Sequence, residues 1–170
     1  DIGLKEHFES KPLDLTIRVP FVYQCKASDI KDRDGKKVIY DKDECHPVIW
    51  YKKRFNISNL NSKEEIYLNF NGVDHKALVF INSHMIGTHT GGYTPFSFPI
   101  SYYLKEGENT IALRVEDYQD PAQMRGKQIW TDKNWGCWYT ASSGIWQDVY
   151  LSFCGKEHIT SCMITPDLDN

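Results

Sequence analysis

The sequence predicts an all-β protein, a β-sandwich of about eight or nine short strands arranged most simply as a jelly roll. Two observations carry this. Apolar residues alternate with polar ones along most of the chain, and no segment shows the 3.6-residue period of a helix. Turn signals built from Gly, Asn, Asp and Pro separate the alternating runs, as in antiparallel sandwiches.

Taken in order, Leu15, Ile17 and Val19 alternate with Thr16 and Arg18 until Pro20 stops the run. Ile49, Tyr51 and Phe55 share one face of residues 48–55, with Lys53 as the exception. Ile66, Leu68 and Phe70 alternate with Tyr67 and Asn69 up to Gly72. Ala77, Val79 and Ile81 lead into Asn82-Ser83, from which residues 85–89 return as the second arm of a hairpin. Phe96, Phe98 and Ile100 form the next run. After the turn at Gly107 and Asn109 come Ile111, Leu113 and Val115, with Thr110, Ala112 and Arg114 facing the other way. The last predicted strand is continuous over residues 145–153, through Ile145, Val149, Leu151 and Phe153. Residues 26–45 are polar, and residues 118–143 are long, aromatic and punctuated by Pro121, Gly126 and Gly136. A loop of more than about 15 residues in a compact domain tends to be functional, so the second segment is the place to seek a site.

Composition narrows the function classes. In 170 residues, 41% are apolar and 25% charged, an ordinary water-soluble balance, and a chain this size can bury roughly 70% of its unfolded surface without staples. No apolar run approaches the roughly 18 residues that cross a bilayer, so no membrane partner is expected, and Asp1 to Glu6 lacks the regions of a signal peptide. Twenty basic against 23 acidic residues give no footprint for a nucleic-acid backbone. Cys25, Cys45, Cys137, Cys154 and Cys162 are odd in number and lack zinc-knuckle spacing, which favours reduced thiols and a cytoplasmic over a secreted protein.

Most motifs have ordinary readings. Asp32-Arg33-Asp34-Gly35 with Asp41 loosely resembles a calcium loop, yet Ile30 occupies the first ligand position and no Glu closes it, so a solvated turn is expected. His84 and His89 are an odd number of positions apart and point to opposite faces of one strand. Asn56-Ile57-Ser58 is a glycosylation sequon that matters only in a secretory host. There is no Gly-x-Ser-x-Gly, and Glu64-Glu65 and Asp41-Asp43-Glu44 read as solvent-facing turn carboxylates. No metal, cofactor or catalytic residue is assigned. The aromatic segment is different: Trp130, Trp135, Trp138 and Trp146 crowd into it. Indole faces suit the C–H faces of a sugar while amide and charged neighbours take its hydroxyls. For Trp135 and Trp138, ligand contact and plain packing both stay open; Trp146 lies on a strand and should pack.

A series of motifs then resembles the sugar-binding domain of glycoside hydrolase family 2. It runs through Val48-Ile49-Trp50-Tyr51, Asn71-Gly72-Val73-Asp74, Gly91-Gly92-Tyr93-Thr94-Pro95-Phe96, Arg125-Gly126-Lys127-Gln128 and Ser143-Gly144-Ile145-Trp146-Gln147. The family includes β-galactosidases, β-glucuronidases and β-mannosidases, and the resemblance covers roughly residues 17–151. It departs at Ser83, where the family usually has Gly after the hairpin Asn.

The resemblance implies a galactose-binding-domain-like jelly roll over residues 1–155, its first strand missing upstream, with residues 156–170 leading into an immunoglobulin-like domain. It implies a parent retaining β-glycosidase whose two catalytic glutamates lie on a (β/α)8 barrel, too large for this chain, against which this domain packs. Carbohydrate is the implied substrate, and a homo-oligomer of the full enzyme is in keeping with the family. By position, the substrate-binding candidates are His46 before the 48–55 strand, and Asp132, Asn134, Trp135, Trp138 and Tyr139 in the aromatic loop. A free-standing lectin-like module and a purely structural support domain are the alternatives. Asp74, after the turn glycine, is expected to satisfy turn amides with its carboxylate.

Overall fold

The computed structural model describes residues 1–39, 45–131 and 133–167. Nine strands are found among them: β1 (Val48–Ile57), β2 (Glu64–Phe70), β3 (Val73–Asp74), β4 (Lys76–Ile81), β5 (His84–Thr90), β6 (Phe96–Pro99), β7 (Gly107–Glu116), β8 (Gly144–Ile145) and β9 (Val149–Gly155). Helix is confined to α1 (Ile2–Lys5) and two short 3-10 turns. Every strand pair is antiparallel, in a four-stranded sheet β1-β7-β4-β5, a three-stranded sheet β6-β2-β9 and the short pair β3-β8.

Period-two patterning translates directly into a two-layered core. Register places Tyr51, Leu113 and Val79 in one row across the larger sheet, and Phe98, Leu68 and Leu151 in a row across the smaller one. Tyr51, Leu68, Val79 and Leu113 are all buried in a single apolar cluster that also takes in Phe70, Val73, Val115 and Ile145, with Phe98 and Leu151 packed at its margin. At about 25 cal/mol per Å2 of apolar area removed from water, these rows are the main force holding the sheets face to face.

The outer face of the larger sheet is covered as well, which alternation does not reveal. The Trp50 indole stacks on Phe80 at 5.8 Å, and Phe8 meets it edge-on at 6.0 Å. Arg114, on the same face, forms ion pairs with Asp1 and Glu116. Consequently Ala112 and Arg114 on β7 are buried along with Leu113 and Val115.

The β4–β5 hairpin settles the turn at Ser83. Asn82 and Ser83 both have positive φ, 49° and 68°, as a two-residue type I′ turn requires. The Asn82 side chain stabilises it by donating to Tyr103 O and Asn109 Oδ1, each at 2.8 Å, and accepting from the Thr110 amide at 3.0 Å.

Two sequence expectations are corrected. Residues 15–19 do not form a strand: Thr16 makes one isolated bridge to Lys31, and Arg18 donates to Ser28 O. Its amides and carbonyls are taken by the neighbouring polar segment rather than by a sheet edge. The stretch lies over the open side of the sandwich, beside Phe55, Phe70 and Val149. The run predicted over residues 145–153 is two strands. β8 pairs with β3 and β9 with β2, because Trp146 turns aside and donates its indole N–H to Gly92 O at 2.8 Å.

Several motifs also find their places. Asp32 accepts from the Asp34 and Lys36 amides, as in an Asp-Gly turn; Asp41, Asp43 and Glu44 lie outside the described residues. His84 sits near Tyr103, and His89 stacks on Phe96 at 4.1 Å. All five cysteines are free.

Candidate functional site

Residues 118–143 leave the end of β7 and return to β8, and a buried polar cluster fastens them to the sandwich. Asp117 and Arg125 form its centre: Arg125 Nη1 donates to Asp117 Oδ1 at 3.2 Å, and the Asp117 side chain is 2% exposed and that of Arg125 6%. The Ser143 hydroxyl donates to the other Asp117 oxygen at 2.6 Å, and Gln24 brackets Ser143 through its side-chain amide. Arg125 Nη2 donates to Ile129 O at 3.1 Å, carrying the anchorage into the loop. These bonds offset much of the cost of burying the pair, although Arg125 Nε is buried without a partner among the described residues.

A second fastening lies on the floor beneath the loop. Gln128 donates from Nε2 to Asp74 Oδ2 at 2.7 Å and to the Tyr93 hydroxyl at 3.1 Å, and its Oε1 accepts the Ser142 amide at 2.6 Å. Tyr93 in turn donates to Arg125 O at 2.8 Å. Asp74 therefore serves Gln128, whereas the sequence suggested turn amides. Burial pushes its carboxyl above the ordinary 3.8, Gln128 pulls it back, and the charge on Asp117 raises it further. Gly92 is required here, because a Cβ at that position would run into the Asp74 carboxylate.

Above these fastenings stands a cluster of three indoles. Trp130 meets Trp138 nearly perpendicularly at 4.7 Å and Trp135 at 6.2 Å, and Trp135 lies 6.1 Å from Trp138. Trp135 and Trp138 pair across a tight turn at Gly136-Cys137, with the Trp138 amide donating to Trp135 O at 2.9 Å and Gly136 at φ 56°. Asn134 and Thr140 exchange side-chain hydrogen bonds alongside. Trp135 remains 54% exposed and Tyr139 62%. The indoles thus leave part of their apolar area open to solvent, the kind of exposed patch that calls for an explanation.

Of the residues the sequence nominated, the structure brings Asn134, Trp135, Trp138 and Tyr139 onto this one loop. Asp132 lies outside the described residues. His46 is placed elsewhere. Its ring packs on Tyr23 at 5.2 Å, and it lines a separate cleft of about 550 Å3 with Phe8, Ile17 and Trp50. At the next residue, Pro47 O accepts the Asp117 amide at 2.9 Å. Trp130 completes the cluster although sequence reasoning did not nominate it; its signal was the density of tryptophan. The roles of Asp74, Tyr93 and Asp117 had none, because their partners lie 8 to 54 residues away.

The chain is an antiparallel sandwich that carries a fastened aromatic loop. Residues 15–153 match the family described as "Glycosyl hydrolases family 2, sugar binding domain", and the chain belongs to that family. It is 32% identical over 125 residues to a β-galactosidase of Priestia megaterium, covering 74% of this chain and 11% of that protein. It is also 32% identical over 131 residues to a β-galactosidase of Thermoanaerobacter pseudethanolicus, covering 75% and 17% respectively. Among solved structures, a β-glucuronidase from Ruminococcus gnavus in complex with uronic deoxynojirimycin superimposes with a TM-score of 0.55 at 26% identity, over 69% of this chain and 19% of that one. The chain thus spans less than a fifth of the length of these relatives.

Proposed function

We propose that this chain is the non-catalytic sugar-binding domain of a retaining β-glycosidase, acting on β-galactosides or β-glucuronides, and that its indole cluster borders the sugar pocket. The observation carrying the proposal is the partly exposed cluster of Trp130, Trp135 and the half-buried Trp138 on a loop anchored by buried charge. The names of the relatives supply the chemistry. Hydrolysis with retention needs two carboxyl groups about 5 Å apart, one as nucleophile and one as acid/base. In this reading they belong to a barrel elsewhere on a longer polypeptide. The present domain supplies stacking surface and orientation, and Asn134 and Tyr139 offer hydrogen-bonding groups beside it.

Packing against neighbouring domains follows from the same reading. Beyond β9, residues 156–167 form no helix or strand, and Ile159, Met163 and Ile164 are each at least 85% exposed. These side chains are available to an immunoglobulin-like domain. Five free thiols, four of them exposed, support a reducing compartment. The test is Trp138→Ala in the full-length enzyme. We expect KM to rise about tenfold, the equivalent of 1.4 kcal/mol, with kcat nearly unchanged. Unchanged KM and kcat would remove the indole cluster from the pocket.

A further inference from the structure

We propose that Gln128, seated on Asp74, is the positioning residue that sets the indole cluster against the sugar. This rests on the reading that the cluster meets carbohydrate, and it adds a residue that touches no sugar itself. The reasoning is geometric. The loop bearing Trp130, Trp135 and Trp138 has two feet, one at Gln128 and one at Ser142. The single Gln128 side chain holds both, because it belongs to the first and accepts the amide of the second at 2.6 Å. Its other end is fixed to the sandwich at two points, Asp74 Oδ2 at 2.7 Å and the Tyr93 hydroxyl at 3.1 Å.

The backbone repeats the arrangement. The Tyr139 amide donates to Lys127 O, and the Ile129 amide donates to Tyr139 O, each at 2.8 Å, so the two arms move as a unit. Any rotation of the indoles relative to the sheets must therefore break bonds at Gln128. Both N–H donors of the Gln128 side-chain amide are engaged, and its oxygen accepts one bond. Asp74 contributes as an acceptor, a duty that an asparagine oxygen can also perform. A residue that merely stabilised the fold would not be expected to separate KM from kcat.

The experiment uses the full-length enzyme with Gln128→Ala, Asp74→Ala, Asp74→Asn and Trp138→Ala. Ile66→Val, a buried position on β2, serves as a control for general loss of stability. Steady-state kinetics on an aryl β-glycoside are read together with hydrogen exchange of the peptide spanning residues 128–142. For Gln128→Ala and Asp74→Ala we expect a rise in KM of about fivefold to tenfold, kcat within twofold of wild type, and exchange at Ser142 at least about tenfold faster. Asp74→Asn should restore KM to within about twofold of wild type, and Ile66→Val should leave KM unaltered.

The proposal is overturned if Gln128→Ala leaves KM and exchange unchanged while Trp138→Ala raises KM. It is also overturned if Asp74→Asn is as impaired as Asp74→Ala, or if Ile66→Val raises KM equally. If exchange accelerates in Gln128→Ala, yet Trp138→Ala has no effect on KM, the positioning role stands and the sugar contact falls.

Discussion

Replacing Asp117 by leucine tests whether the aromatic loop is anchored by a charge pair that water does not reach. The substitution removes the carboxylate from Arg125 Nη1, 3.2 Å away, and from the Ser143 hydroxyl at 2.6 Å. Arg125 is left with Gln123 Oε1 and Ile129 O, both neutral, while its side chain stays 6% exposed. Removing one partner of a buried pair costs about 3–5 kcal/mol, most of it the penalty of an uncompensated charge. For a domain of this size that corresponds to a fall in Tm of about 6–20 °C. Urea unfolding of the 170-residue chain, followed by tryptophan fluorescence and by far-UV circular dichroism, measures it. The decisive comparison is the double variant Asp117→Leu with Arg125→Met, which deletes both charges and should recover at least half of the loss. A single variant losing less than about 1 kcal/mol, or a double variant worse than the single, would refute the buried-pair account.

Two further outcomes follow from the geometry. Gly144 sits at φ 98°, and a Cβ there would fall on the Tyr51 hydroxyl, whose burial already pushes its pKa well up. Gly144→Ala should cost about 3 kcal/mol in a denaturant titration, and adding Tyr51→Phe should return part of that by making room. For Asp74, burial raises the folded-state pKa above 3.8, so the native state holds the proton more tightly than the unfolded chain. Its favourable contribution is complete below pH 3.8 and is lost as pH rises through the raised value. Asp74→Asn should gain stability relative to wild type as pH climbs through that interval, and a pH-independent difference in urea midpoint would contradict the assignment.

The fold was legible where one face of a strand meets the core. Leu68, Val79 and Leu113 lie on alternating runs, and all three are buried in the shared apolar cluster. It was illegible where a second layer or a side-chain hydrogen bond intervenes. Residues 15–19 alternate as a strand does, yet Lys31 and Ser28 take their backbone groups. The break after Ile145 depends on one indole N–H reaching Gly92, 54 residues earlier in the chain. The site divides similarly. Indole density marked the aromatic loop, and Asn134, Trp135 and Trp138 assemble there because a Gly-Cys turn folds the segment back on itself. What holds it, Asp117, Asp74 and Tyr93, draws on three separate stretches of chain, and pattern alone carries no register between such stretches. His46 was nominated from its position before β1, and its ring instead packs on Tyr23 in a separate cleft.

Fastening the loop at its base has an evolutionary corollary. The feet at Gln128 and Ser142 are secured below the apex between Trp130 and Trp138, so changes at the apex are expected to leave the sheets beneath their stability. The apex is thus an exchangeable cassette. Substitutions or small insertions there should leave the scaffold its melting behaviour, and a foreign apex grafted between the same feet should fold in place.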